Sequence, residues 1–192
     1  MSGLGGGAVR TALAVVGDLL DRVPDGSAPV PVMGRPVTGV VHHVAAALAW
    51  YSHDLAAGAG EVSAADLVAR PDAGLGTTSR SLAAWGEVLA RTLDGAAPGE
   101  RGWHSHGVAD PTGFAAIACA ELLVHGADVA GAVGLDWQPP AEVAGAVRDR
   151  LFPDVPAGDD PLADLLWATG RLALPGRPRR GEWRYAMRPP AG

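Results

Sequence analysis

The chain has 192 residues, 48% of them hydrophobic and 19% charged, with a formal net charge of -6. That balance fits one globular domain with a sizeable core rather than a disordered chain. The acidity argues against a nucleic-acid partner, which needs a concentrated basic surface. All fifteen basic residues are arginine, and the single cysteine, Cys119, excludes an internal disulfide and fits a reducing cytoplasm.

The opening stretch MSGLGGGAVRTALAVVGDLL has one basic residue before its apolar part and acidic residues soon after, which makes a poor signal peptide. No uninterrupted apolar run along the chain reads as a membrane span, so no membrane partner is expected. A first helix is expected over 7–21, ended by VPDGSAPVPV. A second starts near Pro36 and runs through VVHHVAAALAWYSHDLAAG to Gly58 or Gly60. SAADLVA suggests a short helical turn, with Ser63 as N-cap and Asp66 completing a capping box. TTSRSLAAWGEVLARTL reads as a third long helix, closed by Asp94 and Gly95. GAAPGERGWHSHGVADPTG is a loop by composition. A fourth helix follows from Thr112 to about Val133, and GLDWQPP breaks it. Shorter helices are expected over 140–150 and 160–173. The ending LPGRPRRGEWRYAMRPPAG is too rich in Pro, Gly and Arg for a packed element, although Trp183 and Tyr185 offer a means of docking it. With no strand alternation and no internal repeat, the expected fold is an all-α four-helix bundle over 1–176 with short extra helices and an irregular tail over 177–192.

The run CAELLVHGADVAGAVG puts a glutamate, a histidine and an aspartate into an apolar helix. At a 100° step, Glu121 and His125 lie about 40° apart and Asp128 about 60° from His125, all within the stripe of Phe114, Ile117, Leu122 and Val129. A carboxylate there must be paired, hydrogen-bonded, metal-bound or protonated. Two readings fit: a Glu–His hydrogen bond beside a core histidine, or a metal site of the kind bundles build from facing helices. On the second helix, Val41, Val44, Leu48, Tyr51 and Leu55 form the stripe. His42 and His53 point away from it, whereas His43 lies at its edge beside Asp54, which reads as a surface or mouth charge. His104 and His106 have the His-x-His spacing of some ligands, yet in a glycine-rich loop they read as solvated or as a pocket rim. Cys119 falls roughly 120° from His125 and reads as a small core residue. No nucleophile elbow, phosphate loop or paired cysteine motif is present.

With these residues in place, the chain resembles the actinobacterial metal-binding proteins of the mycothiol-dependent maleylpyruvate isomerase group, within the DinB-like four-helix superfamily. The resemblance covers roughly residues 7–176 and rests on VTGVVHHVAAALAWY, CAELLVHGADVAGAVG and DDPLADLLWATGRLALPGRP. It implies metal ligands at His43, Glu121 and His125, with Asp128 as the accompanying carboxylate, catalytic by orienting a ligand; the other reading of Asp128 is a partner for an N–H or an arginine elsewhere in the core. It also implies bound zinc (Zn2+), or another divalent metal such as Ni2+, Fe2+ or Mn2+, together with a thiol cofactor such as mycothiol. Three protein ligands and open positions are the arrangement of a catalytic rather than a structural zinc. RPVTG stands where the family motif commonly begins with tryptophan, and a short arginine-rich tail stands where the two-domain isomerase has a further domain.

The implied function is metal-dependent activation of a small-molecule thiol, for isomerisation or S-transfer on a small electrophile. Arg101, Arg171, Arg177, Arg179 and Arg180 are the cations available to an anionic cofactor. The alternatives are a non-catalytic metal-binding or partner-binding module, and a hydrolase using metal-activated water, with Asp128 or His104 as base. Members of the superfamily often pair, so the resemblance also implies a homodimer.

Overall fold

The computed structural model of the protein describes residues 3–64 and 66–188. It is mostly helical, with α1 Gly6–Leu20, α2 Val37–Ala57, α3 Leu75–Gly95, α4 Pro111–Val133, α5 Ala141–Leu151 and α6 Pro161–Ala168. Two-residue strands β1 (Pro29–Val30) and β2 (Arg35–Pro36) pair antiparallel around a 3-10 turn at Pro31–Met33, a small hairpin that helical periodicity gave no reason to expect. The four long helices form a square bundle. α1 and α2 each pack on both α3 and α4, while α3 and α4 lie across the diagonal and scarcely touch. α5 covers the outer side of α4, and α6 packs on α5.

This placement makes α4 the central helix, and its composition fits. Every residue from Gly113 to Ala120 is buried, and apolar side chains continue around the whole circumference. A helix apolar on all sides belongs inside a core. By length and composition α4 could cross a membrane, although Glu121 and Asp128 interrupt its apolar run; 67% of its most apolar window is buried within the bundle. Its ends are well marked. Asp110 caps the start, accepting a hydrogen bond from the Gly113 N–H at 2.9 Å with Pro111 in the first turn. Gly134 ends it at φ 68°, and the Leu135 N–H returns to the Ala130 carbonyl at 2.9 Å.

Three expectations are corrected. No helix forms over the described part of 61–70, where Val62, Leu67 and Val68 stay exposed; the turn proposed from Ser63 and Asp66 has no surface to bury its apolar side chains against (its Ala65 lies outside the described residues). α6 stops at Ala168 instead of continuing to 173, because Gly170 turns left-handed at φ 69° and the Arg171 N–H closes onto the Leu166 carbonyl. Asp54 is not a surface charge: only 6% of it is exposed, and His53 Nδ1 lies 2.9 Å from its Oδ1. The 102–109 loop covers that end of α2, with Trp103 N–H bonded to the Gly58 carbonyl.

The tail is not a loose appendage. Met187 is 2% exposed, Trp183 and Tyr185 pack against the core, and the Ala186 N–H bonds the Leu151 carbonyl at 2.9 Å. Buried Arg150 fastens it from below, donating to the Ala186 carbonyl at 2.6 Å, the Met187 carbonyl at 3.0 Å and Asp110 Oδ1 at 2.9 Å.

Candidate metal centre

α2 and α4 bring three potential ligand atoms together. One atom each from His43, Glu121 and His125 lies within 4.8 Å of the other two. Glu121 Oε2 is 3.2 Å from His125 Nε2 and 3.6 Å from His43 Nε2. The two imidazoles meet edge to face, with ring centres 5.2 Å apart. Glu121 and His125 are one helical turn apart and share a face, while His43 supplies the corner from the neighbouring helix. Side-chain exposure falls from 41% at His43 to 12% at Glu121 and 8% at His125, so the group opens towards α2.

The Glu121 oxygen bears on both readings of these residues. Oε2 is fully buried and, despite the short distance to His125, has no partner in hydrogen-bonding alignment. A buried carboxylate oxygen left this way carries a penalty of roughly 1–3 kcal/mol or more. Zinc bonds to nitrogen and oxygen of about 2.0–2.2 Å, arranged tetrahedrally, put neighbouring ligand atoms about 3.4 Å apart. The observed 3.2 and 3.6 Å bracket that spacing. By spacing and donor type, these residues could hold a divalent cation.

The other side of His125 is arranged to match. Its Nδ1 lies 3.0 Å from Asp128 Oδ2. With the proton on Nδ1, the Nε2 lone pair faces Glu121 and His43, the carboxylate–histidine arrangement that fixes a ligand's tautomer and orientation. Asp128 is 4% exposed and is itself held by Arg171, whose guanidinium donates to Oδ2 at 3.3 Å and to Oδ1 at 3.4 Å. The early end of α6 is what brings Arg171 there. Burial would lower the His125 pKa, but the Asp128 and Glu121 carboxylates beside it outweigh burial and raise it to about 9. Burial likewise works against the Glu121 carboxylate, and His125 and His43 overcome it to hold its pKa below the usual value. Binding a cation at this histidine therefore displaces a proton. Asp128→Asn removes the charge that braces the ring, and metal affinity is expected to fall about 10–100-fold in a competitive chelator titration.

A cavity of about 220 Å³ adjoins the three residues, with Met33, Thr169, Arg171, Trp183 and Tyr185 among its lining. Of the arginines weighed as cofactor cations, only Arg171 reaches it. Arg179 donates to the Gly170 carbonyl, Arg180 pairs with Asp154, and Arg177 lies over the Trp167 ring. Arg101 bonds to the Pro98 and Glu100 carbonyls in its own loop. Burial, then the nearby Glu121 charge, raises the Tyr51 and Tyr185 phenols well above their ordinary pKa. Trp183 and Tyr185 were legible as docking residues but not as walls of this cavity, because nothing local in the tail says where it lands.

The remaining candidates stay apart from the cluster. His42 lines grooves on the α3 side of α2. His104 and His106 form a loop pair in which the His106 N–H bonds His104 Nδ1 at 3.1 Å, and His104 packs edge-on against Tyr51. Burial, then the neighbouring His106, lowers the His104 pKa to about 4. The unfolded chain protonates this histidine near pH 6.5, so its contribution to stability is present above 6.5 and is lost as pH falls towards 4. His104→Gln should flatten that part of the acid limb, read from denaturant melts at pH 7 and pH 5. Cys119 is fully buried and its thiol is pushed up to about 12, which leaves it unreactive.

Compared with protein-family models, with curated proteins and with solved structures, the chain finds no match in any of the three.

Proposed function

We propose that the protein is a divalent-metal-dependent enzyme of the DinB-like, mycothiol-dependent isomerase kind, activating a low-molecular-weight thiol for isomerisation or S-transfer on a small electrophile. The observation that carries this reading is the buried, unpartnered Glu121 Oε2 between two histidine nitrogens, with a cavity opening beside it. Three protein ligands next to a cavity leave room for an exogenous ligand, as catalytic sites do and closed structural sites do not.

His43, Glu121 and His125 would hold the ion. Zinc at such a position lowers the pKa of an adjacent thiol or water, so that the reactive anion exists near neutral pH. The chain's own residues do the rest. Asp128 keeps the His125 ring oriented and its Nδ1 protonated, and Arg171 keeps Asp128 oriented. Arg171 also supplies positive charge to the cavity for an anionic substrate group. Trp183, Tyr185 and Met33 exclude bulk water from one side, which strengthens every charge interaction within. The nucleophilic sulfur comes from the cofactor, since Cys119 is sealed in the core.

The test is thiol-dependent turnover of a panel of activated alkenes and alkyl halides by zinc-loaded protein. The expected result is a rate above that of the thiol alone, lost on chelation and restored by zinc. Protein carrying one metal per chain but giving no thiol-dependent rate with any electrophile would overturn the enzymatic reading and favour a metal-binding module.

A further inference from the structure

The tail that closes the metal cavity is held by an unusual density of directional contacts for a segment without secondary structure. Besides the Arg150 fork, the Trp167 indole N–H donates to the Pro178 carbonyl at 2.9 Å. Arg180 lies over both the Phe152 and Trp167 rings and pairs with Asp154 at 2.8 Å. Phe152 then carries the two cavity aromatics: its ring centre is 5.8 Å from Trp183 and 5.5 Å from Tyr185, which are 5.1 Å from each other. On the far side His106 stacks on Trp183 at 6.4 Å and accepts the Tyr185 N–H. An indole and a phenol buttressed from two directions make a rigid wall, because neither ring can swing aside without breaking contacts on both flanks.

The volume they leave matters. At about 220 Å³ the cavity is smaller than the roughly 300–1,000 Å³ of pockets that enclose drug-sized ligands. We infer that Trp183 and Tyr185 are specificity-determining residues, setting an upper size limit so that only a compact ligand, or the narrow thiol-bearing end of a larger one, reaches the His43–Glu121–His125 group. A bulky thiol cofactor keeps its remaining groups outside this wall. The inference rests on the metal reading for its ligand, but the wall itself is a property of the chain and can be examined without metal.

Two measurements on wild type, Trp183→Ala and Trp183→Phe keep the two questions separate. In chelator-treated protein, carbethoxylation of His43, which lines the same cavity, by diethyl pyrocarbonate is followed by peptide mass spectrometry, with outlying His53 as internal control. The expected result is a several-fold faster reaction at His43 in Trp183→Ala, a rate near wild type in Trp183→Phe, and no change at His53. Equal His43 rates in all three proteins would overturn the wall. In cobalt-loaded protein, binding of 2-mercaptoethanol and of glutathione is followed by visible absorption. Trp183→Ala should gain about 10-fold in affinity for glutathione, the size of effect a pocket clash imposes, with 2-mercaptoethanol unchanged. Parallel changes for both thiols would overturn the size limit. Failure of cobalt to bind any of the three proteins would sink the metal reading, while carbethoxylation still decides the wall.

Discussion

His125→Ala is expected to abolish stoichiometric metal binding, whereas His42→Ala, one residue from His43 on the other helix, leaves it intact. Elemental analysis of untagged, zinc-reconstituted protein should give about one equivalent for wild type and His42→Ala. His125→Ala and Glu121→Gln should retain little. The direct loss of a ligand exceeds the roughly 10–100-fold penalty of losing an outer partner such as Asp128. The contrast between the histidines follows from geometry, since His43 Nε2 faces Glu121 Oε2 at 3.6 Å while His42 lines grooves on the α3 side. Equal metal loss in His42→Ala and His125→Ala would show that the bound ion sits elsewhere. No metal in wild type, after exposure to zinc, nickel, iron and manganese, would return Glu121 and His125 to a buried ion pair.

Arg150→Met should produce a large loss of stability, comparable to breaking the core. The guanidinium has 6% exposure and binds Asp110, which is 14% exposed, together with two tail carbonyls. Removing one partner of a buried pair typically costs about 3–5 kcal/mol, because the other charge stays buried without compensation. For a chain of this size that corresponds to a Tm decrease on the order of 10 °C. Methionine keeps most of the volume, so the loss reports the polar contacts rather than a cavity. Thermal melts measure it, and trypsin offers a second view: release of the tail frees Arg179 and Arg180 for cleavage before the bundle unfolds. A shift below about 1 kcal/mol would mean that aromatic packing alone secures the tail.

The helices were largely legible because their signals are local. Apolar residues recur at helical spacing, and Pro111 and Gly134 mark the ends of α4 where sequence reading put them, to within a residue. Glu121, His125 and Asp128 were conspicuous for the same reason: polar side chains on an apolar stripe stand out without knowledge of the rest of the fold. His43 was placed by its position at the edge of the α2 stripe and by the family resemblance. What escaped depends on distant contacts. Arg171 reaches Asp128 only because Gly170 ends α6 early, and helical periodicity carried the helix past that turn. Asp54 is buried by the 102–109 loop, whose path no periodicity describes. Trp183 and Tyr185 reach the cavity because Arg150, on α5, grips the carbonyls that follow them.

His43 and Glu121 stand on α2 and α4, two elements joined through the whole of α3 and its connections. An ion held by both would act as a removable cross-link, tying together segments that the unfolded chain lets drift apart. Because such an ion favours the folded chain by mass action, occupancy at one hundred times the dissociation constant would add about 2.7 kcal/mol. The temperature of unfolding would then track free zinc concentration, and a melting curve would double as a gauge of affinity. Heat tolerance would rise and fall with the metal supply of the surrounding medium.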